Sequence, residues 1–175
     1  MVMKIVPAPH PTMLDDAVLL KQCQATFGRA SGPGGQHRNK VETAATLVHT
    51  PTGLSASARE RRSQAQNRGM ALRRLRVKLA REVRTRIDSN RHQPGELWRQ
   101  RRQGRTISVN PKHRDYPVLL AEALDVVHAK QFDVAGAAGV LGVSMSQLAK
   151  LIRHDKLSFA QVNDGRTKRG MPALK

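Results

Sequence analysis

The sequence has few of the residues that build cross-links, metal clusters or base-stacking surfaces. It contains one cysteine, Cys23, and aromatic side chains make up 3% of its 175 residues. A single cysteine excludes an intramolecular disulfide framework and a cysteine-based zinc cluster, and we expect it in the core. The scarcity of aromatic side chains argues against RNA readout by base stacking, so Trp98 and Phe159 are expected to be packing anchors. The seven histidines show no ligand spacing, and the sequence therefore predicts neither a metal nor a cofactor.

Acidic residues are also scarce. Thirteen Asp and Glu face 31 Lys and Arg, which gives a formal net charge of +18. Such an excess repels itself and favours a polyanionic partner, and nucleic acid is the first candidate because neutralised phosphates release counterions. No apolar run approaches the roughly 18 residues of a membrane span, and the N-terminal segment resembles neither a signal peptide nor a transit sequence. We expect a cytoplasmic protein that binds RNA or DNA and no membrane.

The first third of the chain is typical of short strands around a loop. Asp15 and Asp16 precede a short predicted helix, and "QATFGRA" reads as an extended piece. Two strands are predicted over residues 43–49 and 53–58, joined by "TPTG", in which Pro51 and Gly53 suit a tight turn.

After Ser63 the pattern becomes helical. One apolar stripe at steps of three or four is formed by Leu72, Leu75, Leu79, Val83 and Ile87. Between Arg59 and Arg91 lie 12 basic and 3 acidic residues, mostly on the opposite face, while Arg76 and Arg86 are expected to snorkel at the stripe's edge. This pattern predicts a long amphipathic helix packed on the small sheet.

Four loop-forming residues, Gly32 to Gly35, precede Gln36. Glycines accept positive φ and expose backbone N–H groups, which can bind an anion or a developing oxyanion. The spacing does not meet the dinucleotide-binding pattern, and no Gly-Lys-Ser/Thr follows. The usual phosphate-binding loops are therefore excluded, and an ordinary flexible loop remains the alternative.

The motifs from Phe27 to Ala80 resemble the catalytic domain of class-1 peptide chain release factors. They are "SGPGGQ" followed by "NK", the "HTPTG" turn, and "RS…NR" at Arg62, Ser63, Asn67 and Arg68. The resemblance implies that Gly34, Gly35 and Gln36 enter the ribosomal peptidyl-transferase centre and promote hydrolysis of the peptidyl-tRNA ester. The backbone N–H of Gln36 would stabilise the oxyanion, and its side-chain amide would orient water.

A set of RNA contacts is expected beside the loop, where Asn39 and Lys40 match the family pattern, and along the basic helix, where the excess of positive charge suggests them. These are Arg29, His37, Arg38, Asn39, Lys40, Arg62, Arg68, Arg73, Arg74, Lys78 and Arg81. The partners implied are the ribosome and peptidyl-tRNA, with the protein acting as a monomer and without a cofactor. Generic surface charge is the competing interpretation of the arginines.

The chain departs from true release factors in its length. Only 33 residues precede Gly34, too few for a codon-reading region, so it looks like the short relatives that rescue stalled ribosomes without reading a codon. We expect a release factor-like catalytic domain over residues 1–90, a basic linker around a short helix with Trp98 over 91–115, a helical region over 116–160 and a weakly structured basic tail over 161–175.

The helical region carries the spacing of a helix-turn-helix. Gly142 is expected at the turn, with Ala138 four residues earlier and Leu148 and Leu151 on the second helix. Ser144 and Gln147 form a predicted capping box. Ser146, Gln147, Lys150 and Arg153 would face outward, and Lys150 and Arg153 are candidate RNA contacts. A plain helical hairpin packed on the rest of the protein is the alternative.

Together these patterns predict an α+β fold with a small, mostly antiparallel sheet, a loop bearing the Gly-Gly-Gln motif, a long packed helix and a helical C-terminal region. Codon-independent peptidyl-tRNA hydrolysis is the leading hypothesis. The alternatives are a non-catalytic DNA- or RNA-binding helix-turn-helix protein that retains the loop as a relic, and a release factor that depends on stop codons.

Overall fold

The protein has an α+β fold, as the sequence predicted. A computed structural model describes residues 3–29 and 43–175. In the described chain the strands are β1 (Lys4–Val6), β2 (Cys23–Gly28), β3 (Ala44–His49), β4 (Leu54–Ala58), β5 (Val83–Thr85), β6 (Arg102–Gln103) and β7 (Thr106–Ile107). The helices are α1 (Asp16–Lys21), α2 (Gln64–Glu82), α3 (Glu96–Arg101), α4 (Tyr116–Ala129), α5 (Val134–Leu141), α6 (Met145–Arg153) and α7 (Lys156–Thr167).

The chain forms two compact units, Pro11–Leu79 and Met1–His10 with Ala80–Lys175. We call the first the sheet unit and the second the helical unit. The boundary falls within α2, and the helical unit includes the range predicted to be a linker. The functional domain boundaries drawn from the sequence stay a prediction.

The sheet unit is built on an antiparallel sheet in the order β2-β3-β4. Residues alternate along β3, so that Ala45, Leu47 and His49 are buried while their neighbours are only partly so. The turn between β3 and β4 contains Gly53 at φ 66°, a conformation that glycine adopts without the steric cost of a Cβ. The predicted strands and turn are confirmed.

Helix α2 is shorter than the apolar stripe predicted. It ends at Glu82, and Val83 begins β5, which pairs in parallel with β1. Leu72, Leu75 and Leu79 are buried as expected. The four-residue spacing of Val83 and Ile87 suits one face of a strand as well as one face of a helix. Periodicity alone therefore could not locate the C-terminal end of α2.

The prediction that Arg76 snorkels to solvent was wrong. Its side chain is buried, and its guanidinium donates to the carbonyls of Thr12 and Leu14 at 2.6 Å and to Asp16 at 2.7 Å. Charge-assisted bonds of this kind offset the desolvation of the guanidinium. Arg76 therefore holds the segment before α1 against α2.

The core of the helical unit is made by α4, α5 and α6 around Trp98. Trp98 is fully buried, and its indole N–H donates to the carbonyl of Leu141 at 2.9 Å. Leu119, Leu120 and Ile152 are among the fully buried residues of the same cluster. The prediction of Trp98 as a packing anchor is confirmed, whereas Cys23 and Phe159 are only partly buried.

The helix-turn-helix geometry is present. Helices α5 and α6 meet at 101° across a three-residue turn, and Gly142 has φ 67°. This angle lies in the usual range for the motif. Ser144 accepts from the backbone N–H of Gln147, but its own N–H donates to the carbonyl of Arg105, so only half of the predicted capping box forms.

Two further corrections concern the C-terminal half. The sequence predicted no strand between α3 and α4, yet β6 and β7 form a short hairpin around Gly104. Helix α7 continues to Thr167, which makes the first residues of the predicted tail helical.

No single helix in the described ranges is long and apolar enough to cross a membrane. Taken together, the bent pair α5 and α6 has the length and composition of a membrane span. Its apolar side chains, however, are part of the core around Trp98.

Candidate functional site

The Gly-Gly-Gln motif lies in the connection between two paired strands. β2 ends at Gly28 and β3 begins at Ala44, and these two residues are partners in the antiparallel ladder. The chain therefore leaves and re-enters the sheet at adjacent points. Arg29, the last described residue before the motif, is exposed, while Thr43, the first after it, is buried. The predicted residues Gly34, Gly35, Gln36, His37, Arg38, Asn39 and Lys40 lie outside the described residues.

Asn67 holds the end of this connection. Its side chain is 0% exposed, and its Nδ2 donates to the carbonyl of Thr43 at 2.7 Å and to that of Arg61 at 2.8 Å. Its Oδ1 accepts from the backbone N–H of Arg61 at 2.9 Å. One amide from the first turn of α2 thus satisfies three backbone groups of irregular segments, which would otherwise be costly to bury.

The basic face predicted on α2 separates into free and engaged side chains. Arg62, Arg68 and Arg73 are exposed and make no side-chain hydrogen bond or ion pair within the described ranges. These three predicted cations are open to a phosphate group, as are the neighbouring Arg59 and Arg61.

Arg74 is partly engaged. Its guanidinium donates to Glu60 at 2.5 Å and to the carbonyl of Ser57 at 2.7 Å, and half of its side chain stays exposed. The same contact, with the backbone N–H of Arg59 second, lowers the pKa of Glu60 to about 2. Glu60 is therefore ionised at neutral pH and competes with any other anion for Arg74.

Lys78 and Arg81 are turned toward the protein. Lys78 Nζ donates to the carbonyl of Ser55 at 3.1 Å. Arg81 is 14% exposed, with Nη1 3.6 Å from Asp155. Both were predicted to contact RNA, and their placement leaves little side chain for such a contact.

Lys150 and Arg153 are exposed on α6, as predicted, and Ser146 lies on the same open side. Arg153 stacks on the ring of Phe159 at 4.8 Å. Most of the predicted cations in the described ranges thus lie on two helices, α2, which spans the boundary between the units, and α6 of the helical unit. Arg29 follows β2, and Arg62 precedes α2.

The comparisons with known proteins identify the family of the chain. The RF-1 domain matches residues 17–118, more than half of the chain. The chain belongs to the RF-1 domain family. The matched RF-1 range includes β2, the connection with the Gly-Gly-Gln motif, Asn67 and α2, and it ends inside α4 before the helix-turn-helix.

Similar proteins include peptide chain release factors. The chain is 41% identical over 81 residues to the mitochondrial peptide chain release factor 1 of Bos taurus, which covers 46% of this chain and 18% of the relative. It is 38% identical over 88 residues to peptide chain release factor 1 of Chloroherpeton thalassium, covering 47% and 25%. The chain thus spans about a quarter or less of the length of these relatives.

Two features of this protein could not be predicted from its sequence. The first is the role of Asn67, which carried a signal only as part of the "NR" motif. The second is Arg105, whose carbonyl joins the β6–β7 hairpin to the start of α6. Among the described residues no group of three or more His, Cys, Asp or Glu side chains could hold a metal ion.

Proposed function

We propose that this protein hydrolyses the ester bond between a nascent peptide and tRNA on the ribosome. The observation that carries the proposal is the closed base of the Gly-Gly-Gln connection, where Gly28 pairs with Ala44 and Asn67 binds Thr43. A connection whose two ends are fixed at one edge of a sheet suits a motif that must enter a narrow centre made by RNA.

The chemistry follows from the motif. Water attacks the ester carbonyl, and negative charge develops on the carbonyl oxygen. The backbone N–H of Gln36 stabilises that oxyanion, because a preorganised donor is most effective where charge develops. The Gln36 side-chain amide orients the attacking water, and Gly34 and Gly35 let the backbone approach the tRNA end without a Cβ in the way.

The cations place the domain on RNA. Arg29 and the exposed Arg62, Arg68 and Arg73 bind phosphates around the connection, and His37, Arg38, Asn39 and Lys40 contact rRNA within it. Arg74 joins them when Glu60 releases it. Such contacts position a protein without reading sequence, and they make its binding dependent on salt.

We further propose that the reaction needs no stop codon, and that the protein rescues stalled ribosomes as a cytoplasmic monomer. This part of the proposal is tested by comparing release with an empty, a sense and a stop-codon A site.

Peptide release from purified ribosomes that carry labelled peptidyl-tRNA tests these proposals. We expect the intact chain to release peptide when the A site is empty and the message ends, and Gln36→Ala to lose most of that release, on the order of a hundredfold or more. Full activity of Gln36→Ala would refute hydrolysis through the motif. Release only with a stop codon in the A site would refute the codon-independent part.

A binding module without catalysis is the second candidate, favoured by the 101° crossing of α5 and α6 and by the exposed cations on α6. It predicts tight binding to a nucleic acid duplex together with no release under any A-site condition.

A further inference from the structure

The β6–β7 hairpin and helix α6 form one surface, which lies wholly within the helical unit. The backbone N–H of Ser144, at the start of α6, donates to the carbonyl of Arg105 at 2.9 Å. Arg102 Nη1 donates to the carbonyl of Gly142 at 3.3 Å and to that of Gly104 at 3.0 Å. The hairpin is thereby attached to the turn of the helix-turn-helix at two points.

A shallow cleft separates the two elements. Thr106 and Ser108 line one side, and Gln147, Lys150 and His154 line the other. Ile107, Val109 and Leu151 complete the lining, so the cleft offers hydrogen-bond donors to an anion beside a smaller apolar surface.

The surface is positively charged and carries no free carboxylate. Arg102, Arg105, Lys150 and Arg153 are exposed on it, and neither β6, β7 nor α6 contains an acidic residue. Within the described ranges Arg105 and Lys150 have no side-chain partner. The carboxylate that follows α6, Asp155, is 12% exposed and lies 3.6 Å from Arg81.

Two of these cations are already ordered. Arg153 lies over the ring of Phe159, and Arg102 is held by two carbonyl groups. Side chains that are ordered before binding lose less conformational entropy when they meet a ligand. The geometry is thus that of a preformed cationic surface on a rigid core.

We propose that this surface binds double-helical RNA through its phosphates. A polyanion is the complement of four cations without an opposing carboxylate. A single strand would need aromatic side chains for stacking, whereas Trp98 and Tyr116 of this unit are buried and the partly buried ring of Phe159 is covered by Arg153.

The choice of RNA over DNA rests on the proposed function, because a ribosomal enzyme meets RNA helices. The family match ends at residue 118, so helix α6 with Lys150 and Arg153 lies outside the region shared with the RF-1 domain, whereas the β6–β7 hairpin lies within it. The surface would give the protein a second grip on ribosomal RNA or tRNA, separate from the Gly-Gly-Gln connection.

The test is the affinity of the full chain for a labelled RNA hairpin stem, measured by fluorescence anisotropy over a range of salt. The variant removes three cations: Arg105→Ala, Lys150→Ala and Arg153→Ala together. We expect binding to weaken by tenfold or more, and the slope of log Kd against log salt to fall by about 2 to 3. A matched control removes three exposed cations elsewhere, Arg91→Ala, Arg99→Ala and Lys168→Ala.

The proposal fails if the control weakens binding as much as the surface variant does, since net charge alone would then explain the effect. It also fails if the surface variant binds as the intact chain does, or if a DNA duplex of the same sequence or a single-stranded RNA binds more tightly than the stem. Circular dichroism of each variant shows whether it is folded. Should the triple variant unfold, the charge reversal Lys150→Glu alone is expected to reduce affinity and the salt slope, and an unchanged affinity would overturn the proposal.

Failure of this inference is distinguishable from failure of the proposed function. Gln36→Ala should bind the stem as the intact chain does while losing peptide release. A chain that binds the stem but never releases peptide would contradict the proposed hydrolysis and leave the RNA surface supported.

Discussion

The sheet unit and the helical unit are stabilised in different ways. In the helical unit a continuous apolar cluster surrounds Trp98. In the sheet unit fewer apolar side chains are buried, and Asn67 and Arg76 bind the carbonyls of segments that belong to no helix or strand. Apolar packing cannot satisfy backbone groups in irregular segments, so a unit that supports a long connection needs buried polar side chains.

The helical unit also uses buried polar side chains in this way. Arg166 is buried and donates to the carbonyls of Phe132 and Pro172, both at 2.9 Å. Arg84 Nη1 lies 3.1 Å from Asp125, and both side chains are almost fully buried. Arg84 also donates to the carbonyl of Ala80 at 2.5 Å, where α2 gives way to β5. The contrast is therefore one of degree: polar side chains are buried where the regular backbone ends.

The largest expected loss of stability comes from a change in the apolar core of the helical unit. Trp98→Ala should lower the free energy of unfolding by about 3–5 kcal/mol, because it leaves a cavity and removes the donor to the Leu141 carbonyl. Urea unfolding followed by circular dichroism measures the loss. Trp98→Phe, which keeps an aromatic ring but not the donor, should lose clearly less, and a loss below about 1 kcal/mol for Trp98→Ala would contradict the view that Trp98 organises this core.

The role of buried polar side chains in the sheet unit is tested at Asn67. Asn67→Asp should cost about 3 kcal/mol, since the carbonyls of Thr43 and Arg61 lose their donors and face a carboxylate. The matched control is Gln66→Glu, the same chemical change at an exposed neighbour, which should change stability by no more than about 0.5 kcal/mol. Equal effects at the two positions would mean that the hydrogen bonds of Asn67 do not stabilise the sheet unit.

The next prediction concerns the pH dependence of stability, which depends on the buried His10. Burial, with the positive charge of Arg84 as a smaller cause, lowers the pKa of His10 from 6.5 to about 4. Between these values the unfolded chain binds a proton that the folded chain does not, so stability is full above pH 6.5 and falls as the pH drops toward 4. We expect a loss of up to about 3 kcal/mol across that window, measured by unfolding at several pH values.

His10→Gln should flatten this profile, because the titrating ring is gone. Any remaining slope includes the contribution of His49 of the sheet unit, whose pKa is also lowered by burial. An unchanged profile in His10→Gln would assign the pH dependence elsewhere.

The smallest effect is expected at the surface ion pair of the sheet unit. Glu60→Gln should change stability by less than about 0.5 kcal/mol, because both side chains of the Glu60–Arg74 pair are 45% exposed and water screens them. The same change frees Arg74, so RNA affinity should rise slightly. A stability loss above about 1 kcal/mol would show that this exposed ion pair stabilises the sheet unit to an extent comparable with the buried hydrogen bonds of Asn67 and Arg76.

Local patterns predicted much of this molecule. Alternation over β3, the spacing of Leu72, Leu75 and Leu79, and Gly142 between two apolar segments each identified an element that the structure contains. These signals are local because they depend on backbone periodicity and on the conformations that one residue allows. The Gly-Gly-Gln motif and its neighbours likewise stand out without any tertiary information.

Other features have no local signal. The end of α2 depends on β1, a strand about 80 residues earlier in the chain that gives Val83 and Arg84 a pairing partner. The β6–β7 hairpin has two residues in each strand and depends on its attachment to the turn before α6. Among the basic residues, charge alone could not separate the exposed Arg73 from the buried Arg76.

The sequence by itself determined the composition of this protein, its positive charge, the glycine-rich connection and the periodic elements, because each is a property of neighbouring residues. Only the tertiary structure decided which cations remain free, which side chains hold the ends of the connection, and which short strands form. Those outcomes depend on partners distant in the chain, whose carbonyls and carboxylates compete with solvent for the same side chains.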